Sequence, residues 1–135
     1  MIVVDTNLLI YLYVQGQHTG RAEAVLARDP RWVAPLLWRS EFRNVLAGLV
    51  RRRTMGLEDA LRIVSDAEHW MSDREYLVVS HDVLGLAARS GCSAYDCEFA
   101  ALAEDLGLRL VTTDRAVLKA FPSIAVAPDV FAASA

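Results

Sequence analysis

Ile2-Val3-Val4-Asp5-Thr6-Asn7-Leu8-Leu9 opens the chain with three β-branched residues, an acid, and then an apolar pattern at helical spacing. A short continuous run of Ile and Val fits a strand buried on both faces, as in a parallel sheet. The pattern changes to helical over residues 6–14, which puts Asp5 at the carboxyl end of that strand. The same order returns at Leu110-Val111-Thr112-Thr113-Asp114. A strand again runs into an acid, and a short helix follows over residues 114–121, stopped by Pro122. In open parallel sheets ligands bind at the carboxyl ends of the strands. Two acids therefore fall on the rim where function is expected.

Between these two segments, strand-like and helix-like runs alternate. Helices are expected over residues 18–28, 36–53, 57–71, 82–90 and 95–106, the last two closed by Gly91 and Gly107. Strands are expected over 32–34, 76–79 and 108–111, with an edge strand over 124–126. This alternation predicts an α/β fold with a mostly parallel sheet. We find no repeat, low-complexity tract or linker, and residues 1–135 are the size of one ordinary domain.

Composition narrows the function classes. The apolar share of 54% is a little high for this size, which leaves room for a surface that meets a partner. The longest apolar stretch, residues 8–14, is too short to span a bilayer, and no basic region precedes it. A cytoplasmic protein without membrane contact is expected. Cys92 and Cys97 are expected to be reduced thiols, and His18, His69 and His81 are scattered, so a zinc site is not indicated. The net charge of −3 argues against a purely electrostatic nucleic-acid binder, unless the acids gather where cations are held.

The chain has 17 acids, so a filter is needed to choose among them. Burial phase supplies one, because an acid on the apolar side of a helix costs free energy unless compensated. At about 100° per residue, Leu37, Trp38, Phe42, Val45, Leu46 and Leu49 form one arc, and Glu41 falls inside it. On the helix over 95–106, Tyr95, Phe99, Ala100, Leu102, Ala103 and Leu106 form the arc, and Asp96 lies within it. Glu98 and Asp105 point the other way, as solvated acids should. Glu68 also falls in an apolar arc, but its place near a helix end leaves a path to water.

Each acid also has a structural explanation. Asp5 and Asp114 can be helix N-caps, Glu41 can pair with an arginine such as Arg52, and Asp96 gains from the helix dipole. Four carboxylates on one rim are harder to explain in that way, since they must be protonated or neutralised by a cation. Hard oxygen ligands favour Mg²⁺ or Mn²⁺. Such a cluster suits phosphodiester hydrolysis without a protein nucleophile. Thr6, Asn7, Thr112 and Thr113 can orient the carboxylates or act as turn and cap residues. Arg39 and Arg43 share a helix face, which is either a phosphate-contacting or a plainly solvated surface.

In these segments the chain resembles the PIN-domain nucleases, and within them the VapC-like ribonuclease toxins of prokaryotic toxin–antitoxin pairs. The matching pieces are residues 3–9, Glu41, Tyr95-Asp96-Cys97-Glu98-Phe99-Ala100-Ala101-Leu102-Ala103, and residues 110–114, with residues 126–131 resembling the family's closing strand and tail. The resemblance implies a three-layer α/β/α fold around a sheet of four to five strands. It implies a Mg²⁺- or Mn²⁺-dependent endoribonuclease with Asp5, Glu41, Asp96 and Asp114 as metal-binding acids, and Asn7 and Thr112 as polar neighbours. It also implies an RNA substrate, a cognate antitoxin and a homodimer. Cys97 and Glu98 are less usual after the central aspartate. A non-catalytic PIN-like binding protein and a haloacid dehalogenase-type phosphatase are the competing assignments. The phosphatase wants a second aspartate where this chain has Asn7.

Overall fold

A computed structural model describes residues 1–134. β1 (Ile2–Val4) is buried at all three positions and forms the centre of the sheet. It pairs in parallel with β2 (Trp32–Pro35) on one side and with β4 (Leu110–Val111) on the other. Beyond β2 lies β3 (Glu75–Tyr76), and beyond β4 lies β5 (Ala125–Val126), both also parallel. The order is therefore β3-β2-β1-β4-β5. The chain winds outward from β1 to β3, then returns to the opposite side of β1. That reversal makes the gap between the carboxyl ends of β1 and β4 a topological switch point, where a crevice opens.

Among the described residues, seven helices fill the crossovers and an eighth follows β5. α1 (Thr6–Tyr13) and α2 (Thr19–Arg28) link β1 to β2. α3 (Leu37–Arg51) and α4 (Leu57–Met71) link β2 to β3. α5 (Ser80–Ser90) and α6 (Ala94–Leu106) lead to β4, and α7 (Arg115–Ala120) leads to β5. Right-handed crossovers on either side of the switch place α1–α4 on one face and α5–α7 on the other. In keeping with this, α1, α3 and α4 pack on one another, while α5 packs on α6 and α6 covers β1, β2 and β4. The core is continuous across the sheet, with Trp32, Trp38, Phe42, Leu8, Leu9 and Leu102 at or near zero exposure.

Several elements differ from their sequence expectation. β3 covers Glu75–Tyr76 and stops there, not at residue 79, because β2 has already ended at Pro35 and offers no further partner. Leu77 and Val79 are left exposed, and α5 starts two residues earlier than expected, at Ser80. β4 begins at Leu110 and not at 108, since Gly107 adopts φ 66° and the Leu108 amide bonds back to the Ala103 carbonyl, closing α6. α3 ends at Arg51. Arg53 takes φ 59°, a left-handed closure that usually falls to glycine, so the arginine run hides the stop. Past β5 the chain forms a short helix, α8 (Pro128–Ala133), with a proline in its first turn, and packs against α2.

Candidate functional site

Asp5 follows the last residue of β1, and its side chain does two jobs. Oδ1 accepts the Leu8 amide at 3.1 Å and caps α1. Oδ2 accepts the Thr112 hydroxyl at 2.7 Å and the Thr113 amide at 3.0 Å, both from the segment after β4. Thr112 in turn accepts the Asp114 amide at 3.1 Å, and Asp114 Oδ1 caps α7 through the Val117 amide at 3.0 Å. Thr113 accepts a hydrogen bond from the Asn7 amide nitrogen at 3.2 Å. The two strand ends are thus tied together by the polar residues between them. Both aspartates are N-caps, as their structural explanation required. Capping occupies one oxygen of each, and the Asp114 Oδ2 atom has no protein partner among the described residues.

The remaining two acids arrive on helices. Glu41 lies one turn into α3, and its Oε1 accepts the Thr6 hydroxyl of α1 at 2.6 Å. No arginine reaches it. Asp96 lies in the first turn of α6, with its amide bonded to the Ser93 hydroxyl that caps the helix. All four acids line one open cleft of about 620 Å³, together with Thr6, Asn7, Ser40, Asn44, Tyr95 and Thr112. Leu37, Val45, Phe99, Leu110 and Val117 make its apolar part. No lysine, arginine or histidine is among the lining residues.

The electrostatics follow from that lining. Burial pushes Asp5 above the usual carboxylate range, against its three donors, and the Asp114 charge adds to the rise. The residue is only partly exposed, and protein surrounds its carboxylate closely enough for desolvation to outweigh three hydrogen bonds. Glu41 is raised by burial, with further pushes from Asp96, Asp5 and Glu98, while the Thr6 bond pulls it down. Asp96 is raised by burial and by Asp114, with the Ser93 contact opposing. Three acids that resist ionisation in one cleft, each feeling another's charge, would be relieved by a cation. Among the described residues, no three Asp, Glu, His or Cys side chains close into a ready ligand shell. Even so, Glu41 Oε2 and Asp114 Oδ2 are free of protein donors, and the donor set is all oxygen. That fits a hard divalent ion and not zinc.

The other residues singled out by sequence lie elsewhere. Arg39 forms a two-pronged pair with Glu75, donating from Nη2 to Oε1 at 2.8 Å and from Nε to Oε2. Arg43 reaches Glu68 at 3.3 Å, and Arg39 approaches the same carboxylate at 3.5 Å. Neither arginine lines the cleft, and Glu68 belongs to this ion-pair group. Glu98 is half-buried, not solvated, and lines a second groove of about 330 Å³ with Leu36, Leu77, Val83 and Leu84. Tyr95, expected in the apolar arc of α6, is 64% exposed. Sequence reasoning did not single out Ser40 and Asn44. Their signal was spacing: Asn44 is one helical turn beyond Glu41 on the same stripe as Leu37 and Val45.

The fold and this cleft together define a class: a small parallel α/β domain with a carboxylate cluster at its switch point. The comparisons with known proteins give that class a name. The family model described as "PIN domain" matches residues 2–122. Ribonuclease VapC9 of Mycobacterium tuberculosis is 33% identical over 119 residues, covering 84% of this chain and 86% of the relative. Ribonuclease VapC3 of Pyrobaculum aerophilum is 27% identical over 126 residues, covering 91% and 96%. A crystal structure of a Pyrobaculum aerophilum protein superposes with a TM-score of 0.77 at 22% identity, covering 97% of this chain and 92% of that one. A toxin–antitoxin complex from Klebsiella pneumoniae gives 0.68 at 20% identity, covering 95% and 98%. The chain belongs to the PIN-domain family, and its relatives within it are VapC ribonucleases.

Proposed function

We propose that this protein is a single-domain, divalent-metal-dependent endoribonuclease, the toxin of a toxin–antitoxin pair. One observation carries the proposal: four carboxylates line one cleft at the sheet's switch point, and no basic side chain joins them. Asp5, Glu41, Asp96 and Asp114 would hold Mg²⁺ or Mn²⁺. The bound ion would supply a polarised water and charge neutralisation at the phosphodiester. The chain's own residues do the positioning. Thr112 and Thr113 fix Asp5 through two hydrogen bonds, Thr6 fixes Glu41, and the caps hold Asp5 and Asp114 at the ends of β1 and β4. With the acids neutralised, the rest of the surface no longer repels a polyanion, which lifts the objection raised by the net charge of −3. The names of the VapC ribonuclease relatives support RNA as the substrate.

Retention of all four acids favours an enzyme over a binding-only relative. Asn7 is exposed and bonded to Thr113, with no acid in the place a dehalogenase-type phosphatase needs. The partners we assign are a cognate antitoxin and a second copy of the chain. Leu36, Leu77 and Leu84, all exposed around the second groove, supply an apolar surface for such contacts. No helix among the described residues is long and apolar enough to cross a membrane, and a cytoplasmic site of action fits the assignment.

The test is digestion of a mixed cellular RNA pool with Mn²⁺, with Mg²⁺ and with a chelator, followed by mapping of the cut ends. Discrete metal-dependent cuts are expected. Intact RNA under every condition would overturn the nuclease assignment.

A further inference from the structure

Tyr95 is the tyrosine that the fold does not use. The chain has four tyrosines, and Tyr11, Tyr13 and Tyr76 are partly buried against the core. Tyr95 is 64% exposed, and its ring and hydroxyl have no aromatic or hydrogen-bond partner among the described residues. It nevertheless lines the acid cleft, immediately before Asp96 on the first turn of α6. Phe99, one turn further along the same helix face, lines the cleft beneath it, and Leu37 and Val45 form apolar wall from α3. The cleft therefore has two chemistries side by side: carboxylates for a cation, and an apolar shelf ending in an unattached aromatic ring.

That shelf meets a need created by the first chemistry. A nucleic acid entering this cleft finds no lysine, arginine or histidine in its lining. Ion-mediated contact at the phosphate is the only charge attraction available there. Neutral donors such as Asn7, Ser40 and Asn44 can add hydrogen bonds, and the apolar shelf can add affinity through the nucleobases, where aromatic stacking is the interaction that accepts any base. Stacking on a protein ring requires a base that is not already stacked in a duplex.

We infer that Tyr95 is a substrate-binding residue: its ring stacks on the base of a nucleotide flanking the scissile phosphate, and that one base must be unpaired to reach it. This rests on the ribonuclease assignment above. Because the ring is exposed and bonded to nothing, its removal leaves the fold intact.

The experiment uses an oligoribonucleotide that the wild-type protein cuts, with Mn²⁺ present. A series of the same oligonucleotide carries one abasic residue at each position around the cut. Wild type, Tyr95→Phe and Tyr95→Ala are compared. Tyr95→Phe should keep the wild-type KM. Tyr95→Ala should raise KM about tenfold with kcat within a few-fold, the size of one base–aromatic stack. At one flanking position the abasic substitution should cost wild type a similar factor and cost Tyr95→Ala almost nothing. Annealing a complementary strand across that position should raise the KM of wild type by at least the same factor. An unchanged KM in Tyr95→Ala, or equal sensitivity of both proteins at every abasic position, overturns the inference. It does so equally if sedimentation then shows that Tyr95→Ala alters self-association, which would make the ring a protein contact. If wild type leaves the mixed RNA pool intact in the digestion described above, so that no such oligonucleotide exists, the nuclease assignment falls and this inference with it.

Discussion

Helix α3 carries two kinds of carboxylate environment on opposite sides. On one side Arg39 and Arg43 hold Glu75 and Glu68 in ion pairs. The side chain of Glu75 is only 7% exposed, but Arg39 grips both of its oxygens and the Trp38 indole N–H donates to one of them at 2.8 Å. The Arg39 pairing holds the Glu75 carboxyl below its usual range, against the penalty of burial. On the other side Glu41 has one hydroxyl donor and three like charges in reach, and sits above its usual range. Both acids are at least partly buried, on opposite sides of α3. Glu75 has its counter-charge within the protein, whereas Glu41 has none. An acid that stays unpaired near other acids is not serving stability, and burial plus the missing partner is the ground on which we propose a functional role for Glu41.

Breaking the unpaired side should cost activity and not fold. Asp96→Asn keeps the shape of the side chain and disturbs no hydrogen bond that ties the strand ends. It is expected to lower metal-dependent RNA cleavage by at least about 100-fold, roughly 2.7 kcal/mol in the barrier, with a metal-free melt at or slightly above that of wild type. Initial rates and circular dichroism melts of the same preparation check both halves. Asp5→Asn should lose as much activity, but in either rotamer it sets an NH₂ group against a backbone donor, the Thr113 amide or the Leu8 amide, and so lowers stability as well. Wild-type cleavage rates in Asp96→Asn would remove the central carboxylate from the mechanism.

Supplying the missing counter-charge should do the converse. At a free concentration of about 100 times its dissociation constant, Mn²⁺ is expected to stabilise the protein by about 2.7 kcal/mol. The sign of the pH effect is fixed by the raised carboxyls. A group whose folded pKa lies above its unfolded value destabilises the fold once ionised, so metal-free stability falls as pH rises through that interval. Protons and metal compete for the same oxygens. The thermal shift with Mn²⁺ should therefore shrink as pH is lowered from about 7.5 to about 5. A shift independent of pH would separate the metal from these acids.

How much of this contrast could be read in the sequence depends on which residues carry it. The strand ends were legible, because Ile2-Val3-Val4 and Leu110-Val111 each run directly into a turn and an acid. Glu41 and Asp96 were legible by helix phase, since each lies in an apolar arc. Phase gives direction but not depth. Tyr95 shares the arc of Phe99 and Leu102, yet it lies in the first turn of α6, on the open cleft wall. Glu68 passed the same filter as Glu41 and proved to be paired with arginines 25 and 29 residues away, a pairing that no local pattern encodes. The α8 helix and the early end of β3 depend on packing partners, α2 and β2, that sequence spacing does not place.

Breaking the paired side should cost fold and not activity. Arg39→Ala leaves Glu75 buried with only the Trp38 donor. Removing one partner of a buried pair costs about 3–5 kcal/mol, and since Arg39 is nearly a third exposed, about 2 kcal/mol is expected here. Urea melts at neutral pH measure it. Glu75 has a lowered folded pKa, so its pairing contributes stability above the unfolded value and loses it as pH falls through the folded one. The gap between wild type and Arg39→Ala should accordingly narrow below about pH 4. Cleavage per folded molecule should stay at the wild-type level. A large loss of activity at unchanged stability would mean that Arg39 contacts the substrate after all.

The smallest effect lies at the one strong hydrogen bond on the unpaired side. Thr6→Val preserves the shape of a buried β-branched residue and removes the donor that holds Glu41 Oε1 at 2.6 Å. No protein donor is orphaned, because only the carboxylate loses a partner and water in the cleft can replace it. The stability change should thus stay within about 1 kcal/mol. Metal affinity is the sensitive readout, because Glu41 then samples several rotamers and must be ordered when the ion binds. Residues that orient ligands in this way are worth about 10–100-fold in affinity, and an exposed cleft belongs at the lower end, about tenfold or 1.4 kcal/mol. Titration calorimetry with Mn²⁺ should show this weakening in Thr6→Val and a much larger loss in Glu41→Gln. Equal losses in the two variants would mean that the Thr6 contact, and not the Glu41 charge, sets affinity, and the contrast between the two sides of α3 would then rest on geometry instead of counter-charge.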